Sequence, residues 1–259
     1  MLNTTTFAGI SDIGRARARN EDSFVMRPSA RIAVVADGMG GHPSGDIASR
    51  IAAARAAETL EANLGSGSAT EGGLVEMRTT MLQSVMSAHQ AIRDACAQGE
   101  DLEGVGTTLT AMAFDPDGKV YVLGHVGDSR AYRLRAGALD QLTPDDTWVQ
   151  ARVDAKDLTP EQAKRHPFGH ILTQCVGLED APDPHIHDGT VAIGDVYLLC
   201  SDGLVGMLED EDIARILRER LGEPPDPQVL ETAGRALVDA ANEAGGKDNI
   251  TVALILLTA

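Results

Sequence analysis

The chain has 259 residues, 43% of them hydrophobic, enough for one large domain or two small ones with a sizeable core. Its 22 Lys and Arg stand against 39 Asp and Glu, a formal charge of −17, and that balance repels a phosphate backbone, which argues against nucleic acid as a partner. No stretch approaches the roughly 20 apolar residues that cross a bilayer, "MLNTTTFAGISD" has neither a basic nor an apolar leader segment, and Cys96, Cys175 and Cys200 lie far apart; a cytoplasmic chain with no membrane partner, disulfide frame or thiolate zinc site is expected.

Along the chain, "SFVMRP" and "RIAVVAD" read as short strands joined at Ser29-Ala30. "SGDIASRIAAARAAETLEANL" then reads as an alanine-rich helix with Ile47, Ile51 and Leu60 among its apolar positions. Gly65 to Gly73, "GSGSATEGG", is expected to be a flexible loop leading to a second helix from about Leu74 to Ala97. There Leu74, Met77, Met81, Val85, Ala88, Ile92 and Ala95 recur three and four apart and make one apolar stripe. The strands "TTLTAMAFD", "KVYVLGHVGD", "SRAYRLRAG" and "LDQLT" follow in the manner of an antiparallel meander. Pro144 to Gly177 reads as irregular or short-helical; then come strands "TVAIGD" and "VYLLCSD", helices from about Glu211 to Leu221 and Pro227 to Ala244, and a last strand "ITVALILLT". That order predicts an α+β fold in which antiparallel sheets are faced by helices, without internal repeats.

Four aspartates, Asp37, Asp128, Asp202 and Asp248, stand where apolar runs stop or start. The first three abut glycine in "ADGMGG", "VGDSR" and "SDG", and the fourth lies in "GGKDNITV". Any one of them has an ordinary reading as turn chemistry, and Asp115 to Gly118, "DPDG", is assigned nothing more than that. Taken together, and if their loops converge, they supply the oxygen ligands a hard divalent cation prefers, with glycine admitting a backbone carbonyl.

The motifs "RARNED", "ADGMGGHPSGD", "GTTLTA", "VGDSRAYRLRAG", "LTPDDTWV", "LLCSDGL" and "GGKDNITVALI" resemble, in order from about Ile10 to Leu257, those of the bacterial metal-dependent Ser/Thr protein phosphatases of the phosphatase 2C family. The resemblance implies an αββα sandwich, two central antiparallel β-sheets flanked by pairs of helices, as a single domain over residues 1–259 with a flap at about 144–177. It implies two Mn or Mg ions and a possible third. Asp37 is then expected to bridge two ions, Gly38 to ligate one through its carbonyl, and Asp202 and Asp248 to complete the first ion's protein shell. Asp128 with Asp202 corresponds to a third, weaker site; Glu21 and Asp22 are expected to orient metal-bound waters, and Arg17 to grip the substrate phosphate. Two cations about 3.5–4 Å apart reverse the field of the carboxylates and make a bound water acidic near pH 7, which suits attack on a phosphate monoester. The implied partners are phosphorylated proteins, a Ser/Thr kinase or its targets, met by a monomer. The alternative is a non-catalytic phospho-signalling module of the same fold, against which the complete ligand set argues; a third reading is a two-metal hydrolase of nucleotides or nucleic acid, whose nucleic-acid version fits the acidic charge poorly.

The chain departs from the eukaryotic pattern at Met39, where those enzymes carry a histidine proposed as general acid. His42 is the replacement candidate, with a plain loop residue as its other reading. Arg17 likewise has a second reading as an ion pair with Glu21, four residues on. His185 and His187 read as an exposed strand face, His89 and His125 as structural, and His166 and His170 flank Pro167 and so form no regular helical pair. Trp148, the only tryptophan, is read as a packing anchor ahead of a substrate contact.

Overall fold

The computed structural model describes residues 4–39, 44–64, 71–99 and 104–259. Its elements are β1 (Thr4–Asp12), β2 (Asp22–Arg27), β3 (Ile32–Met39), α1 (Gly45–Asn63), α2 (Glu71–Ala97), β4 (Gly106–Thr107), β5 (Leu109–Phe114), β6 (Val120–Val126), β7 (Arg130–Arg135) and β8 (Ala138–Gln141). They continue with α3 (Trp148–Asp154), α4 (Pro160–Ala163), β9 (His185–Thr190), β10 (Val196–Cys200), α5 (Asp202–Val205), α6 (Asp210–Leu221), α7 (Leu230–Glu243) and β11 (Ile250–Thr258). One sheet has the order β1-β11-β10-β7-β8 and the other β2-β3-β5-β6-β9, with β4 paired to β3. All the pairings are antiparallel.

Strand periodicity explains the four layers. In β3, Ile32, Val34 and Ala36 face α1 and α2, while Ala33 and Val35 face the other sheet. In β11, Val252, Leu254 and Leu256 face α7, and Ala253, Ile255 and Leu257 meet the opposite sheet. Strands buried on both faces read as continuous apolar runs, as "RIAVV" and "ITVALILL" do, and each fully buried branched side chain contributes about 1.5–3 kcal/mol. Helix α1 meets its neighbours through Ala48, Ala52, Ala53, Ala56, Ala57 and Leu60, all fully buried, and these small residues let it lie close to α2 and β3. The αββα fold class is as expected, and the predicted α2 stripe is buried at Met77, Met81, Val85, Ala88 and Ile92.

Four expectations change. The run from Thr107 to Thr143 is not one meander, because β5 and β6 pair in one sheet and β7 and β8 belong to the other; the chain changes sheets across Gly127-Asp128-Ser129. "TVAIGD" is mostly a turn, and the strand lies upstream as β9, where His185 to Thr190 pair with β6. Helix α2 starts at Glu71, so Gly72 and Gly73 are helical, while residues 65–70 of the expected loop lie outside the described residues. Strand β1 is additional: "TTTFAGISD" has few bulky residues, and it is drawn into the sheet by continuous pairing of Thr4–Asp12 with β11. Among the described residues, no helix is long and apolar enough to cross a membrane.

Candidate active site

At one end the seam between the sheets turns polar. The parity that sends Phe24, Val35, Tyr197 and Ala253 into the seam also sends Asp22, Asp37, Ser201 and Thr251 there at the strand ends. The carboxylates of Asp37, Asp128, Asp202 and Asp248 therefore border one crevice of about 710 Å³, with Arg17 and Glu21 on its wall. The loops brought together are the ends of β3 and β10, the sheet crossover at Gly127–Ser129, and the turn into β11.

Asp37 is fixed through its backbone. Asp37 N–H donates to Thr108 Oγ1 at 2.9 Å, and Asp37 O accepts from Thr108 N–H at 2.9 Å and Thr107 Oγ1 at 2.9 Å. Gly38 has a steric reason to be glycine, since a Cβ there would lie 2.1 Å from Gly45 O at the start of α1. Close approach of that helix explains this glycine; Gly40 and Gly41 lie outside the described residues. Gly203 plays the same part between Asp202 and Asp248, for a Cβ would lie 1.9 Å from Asn249 O.

Crowded carboxylates raise one another's proton affinity. Asp37 is held well above the usual carboxylate range, first by burial and then by the charges of Asp22, Asp202, Asp128 and Asp248. Asp202 is raised by burial and Asp248, and Asp128 well raised by burial, Asp202 and Asp145. Asp22 is pushed up to about 7 by burial, with the charge of Asp202 adding to the rise and the hydrogen bond from Ser201 opposing it. Ser201 Oγ donates to Asp22 Oδ2 at 2.7 Å, whereas Asp22 Oδ1 is buried without a hydrogen-bond partner. Such a cluster requires protons or cations for neutrality, and its all-oxygen donors suit Mg or Mn better than a thiolate-seeking metal. Among the described residues no three His, Cys, Asp or Glu side chains close into a finished cage. The carboxylates instead ring an open crevice, which suits hard cations that keep several waters.

Arg17 pairs with Asp248 at 2.5 Å rather than with Glu21, and its charged form is favoured first by that hydrogen bond and also by the charges of Asp202 and Glu21. Glu21 is itself raised, mainly by burial. The loop bearing Arg17 is held by a residue that sequence reasoning missed. Asn249 Nδ2 donates to Ile13 O and Arg19 O, both at 2.9 Å, and its Oδ1 accepts from Glu21 N–H at 2.8 Å. Its signal in the sequence is an amide beside a fully buried strand, where its polar atoms need partners.

His170 and Leu172 of the segment Pro144 to Gly177 line the same crevice, a placement for His170 that its spacing did not suggest. His42, the expected proton donor, lies outside the described residues. Trp148 packs against His166 and Phe168, with ring centroids 5.1 and 5.7 Å away, as a packing anchor does. His125 is buried as expected. His185, however, is no plain exposed face: its Nε2 lies 2.8 Å from Asp146 Oδ1.

The two-sheet sandwich is also the fold of solved bacterial Ser/Thr phosphatases. The catalytic domain of the Ser/Thr protein phosphatase PstP, solved in complex with two manganese ions, matches with a TM-score of 0.81 and 34% identity over 100% of both chains. PstP of Mycobacterium tuberculosis strain H37Rv is 38% identical over 246 residues, 95% of this chain and 44% of that relative, so the chain spans less than half its length. Protein phosphatase PhpP of Streptococcus pneumoniae strain R6 is 34% identical over 249 residues, 95% of each. The family profile of protein phosphatase 2C matches residues 14–237, and the chain belongs to that family.

Proposed function

We propose that the chain is a metal-dependent phosphatase that hydrolyses phosphoserine and phosphothreonine monoesters in proteins, opposing a bacterial Ser/Thr kinase. Residues 1–259 form one catalytic domain whose flap is the segment at about 144–177. The observation that carries the reading is the gathering of Asp37, Asp128, Asp202 and Asp248 around one crevice with the Arg17 guanidinium on its wall. The manganese ions in the PstP structure support a two-ion centre here.

In this reading Asp37, the Gly38 carbonyl, Asp202 and Asp248 would hold two Mn or Mg ions, with Asp37 shared between them and Gly38, Asp202 and Asp248 serving one of them. Asp128 with Asp202 would hold a third, weaker ion. Bound there, the metals supply Lewis acidity and a water that ionises near neutral pH. Asp22 and Glu21 would orient water at such ions, and the orphaned Asp22 Oδ1 is an acceptor available for that work. Arg17 uses one N–H on Asp248 and keeps other donors of its planar fork for phosphate oxygens. His42 provides the proton for the departing serine or threonine oxygen.

The test is hydrolysis of a phosphothreonine peptide with and without Mn, beside Asp37→Asn. Chelator should abolish turnover. Because residues that merely support a metal ligand are worth about 10–100-fold, a bridging ligand should be worth at least about 100-fold. Full activity in chelated protein, or a wild-type rate for Asp37→Asn in saturating Mn, overturns the reading.

A further inference from the structure

Asp146 stands at a junction that the proposed chemistry does not use. Its N–H donates to Gly127 O at 2.7 Å, and its Oδ2 accepts from Gly127 N–H at 2.9 Å. Gly127 immediately precedes Asp128. The Asp146 carbonyl accepts from Thr173 N–H at 2.8 Å, and beside it Trp148 N–H donates to Ile171 O at 2.7 Å. These bonds, with the Thr147–Leu172 bridge, close the base of the flap. The remaining oxygen, Oδ1, accepts from His185 Nε2 at 2.8 Å; the histidine side chain is 43% exposed and the aspartate 9%.

Every hydrogen-bonding group of Asp146 is thus committed, to three separate segments of chain. A carboxylate suits the position because both oxygens must accept; an amide would turn a donor toward one of two N–H groups. His185 is steadied from behind by the ring of His125, 5.9 Å away and 27° from parallel. His125 Nε2 faces the Pro144 carbonyl, which can only accept, so that nitrogen bears the hydrogen and Nδ1 accepts from Thr110 Oγ1. Burial pushes His125 down to about 4, so a neutral ring backs the pair.

We propose that Asp146, oriented by His185, is a positioning residue that fastens the base of the flap to the loop carrying Asp128, so that the two are set as one unit. The use of that unit, placing substrate against Asp128, rests on the phosphatase reading; the fastening itself does not, and is measurable without turnover.

The experiment is hydrogen–deuterium exchange at the Gly127 and Thr173 amides of chelator-treated protein, comparing wild type with Asp146→Ala and His185→Gln. Gly127 N–H loses its acceptor directly in Asp146→Ala. Thr173 N–H keeps its own, a backbone carbonyl that the substitution leaves in place. Both amides should nevertheless exchange at least about tenfold faster, the change expected on losing one charge-assisted hydrogen bond, and His185→Gln should move both in the same direction by less. The exchange Asp146→His with His185→Asp should restore protection relative to Asp146→Ala, because a neutral imidazole accepts at one nitrogen and donates at the other. Calorimetry with Mn should then show the two tight ions kept and the weaker one bound at least tenfold less well in Asp146→Ala. Unchanged protection at Thr173 while Gly127 opens, or at both, overturns the proposal; should Asp146→Ala not fold, His185→Gln on the exposed side decides in the same way. Coupled amides in a protein without phosphatase activity would sink only the reading of function, and uncoupled amides in an active one would sink only the fastening.

Discussion

Replacing Asn249 with alanine tests the loop that presents Arg17. Asn249 is 5% exposed and makes three side-chain hydrogen bonds, to Ile13 O, Arg19 O and Glu21 N–H. At a net value of about 1 kcal/mol each, their loss costs about 3 kcal/mol, a large share of the roughly 5–15 kcal/mol that holds a domain together. With m-values of about 1–3 kcal/mol per M urea, the unfolding midpoint should fall by about 1 M or more. The freed loop also lets Arg17 leave the crevice wall, so KM for a phosphopeptide should rise more than kcat falls. Asn249→Asp keeps the acceptor for Glu21 N–H but turns a buried oxygen toward the Ile13 and Arg19 carbonyls, so its stability loss should be at least as large. A loss below about 0.5 kcal/mol with unchanged KM would refute the reasoning; the Arg15 N–H to Gly246 O bond of 2.7 Å would then be sufficient to hold the loop.

Gly203→Ala places a Cβ 1.9 Å from Asn249 O; overpacking there should destabilise by about 1–3 kcal/mol, read as a lower melting temperature, and an unchanged melt would mean the two loops separate freely. Arg17→Ala should raise KM for phosphopeptides in steady-state kinetics, whereas Asp128→Ala should lower turnover while calorimetry still shows two tightly bound Mn ions. In chelated protein the raised carboxylates make the folded state bind protons that the unfolded state, with ordinary values near about 4, has released. Stability should therefore rise as pH falls from 8 to about 6.5, through the Asp22 value of about 7. Below that range buried His125, lowered to about 4, acts with the opposite sign because the unfolded histidine takes up a proton first. Thermal melts at pH 8 and 6.5 check the direction, and saturating Mn should remove most of the difference.

Much of this was readable from the chain because it depends on local periodicity. The helix stripe of Met77, Met81 and Val85, the doubly buried β11 and the aspartates that end β3 and precede β11 each show in a few consecutive residues. What escaped depends on partners far along the sequence. Asn249 acts on residues about 230 positions away and Ser201 on Asp22, 179 away, so neither shows a local pattern. Likewise, a Gly-Asp turn looks alike whether the next strand continues the same sheet or, as at Gly127-Asp128, moves to the other. His185 was read by its alternation on a strand, which says nothing of a buried carboxylate 39 residues earlier.

The seam between the sheets has a mechanical consequence. Asp22 and Asp37 belong to one sheet, and Asp202 and Asp248 adjoin strands of the other, so cations held among them would rivet together two halves whose faces pack through side chains. Ion affinity then doubles as a strain gauge for the sandwich. Farther along the seam, Phe114 and Tyr121 of one sheet meet Tyr197 of the other at ring-centroid distances of 5.3 and 5.2 Å. Shaving that aromatic contact, by letting the sheets slide or splay, should loosen the hold on ions that none of the three residues touches.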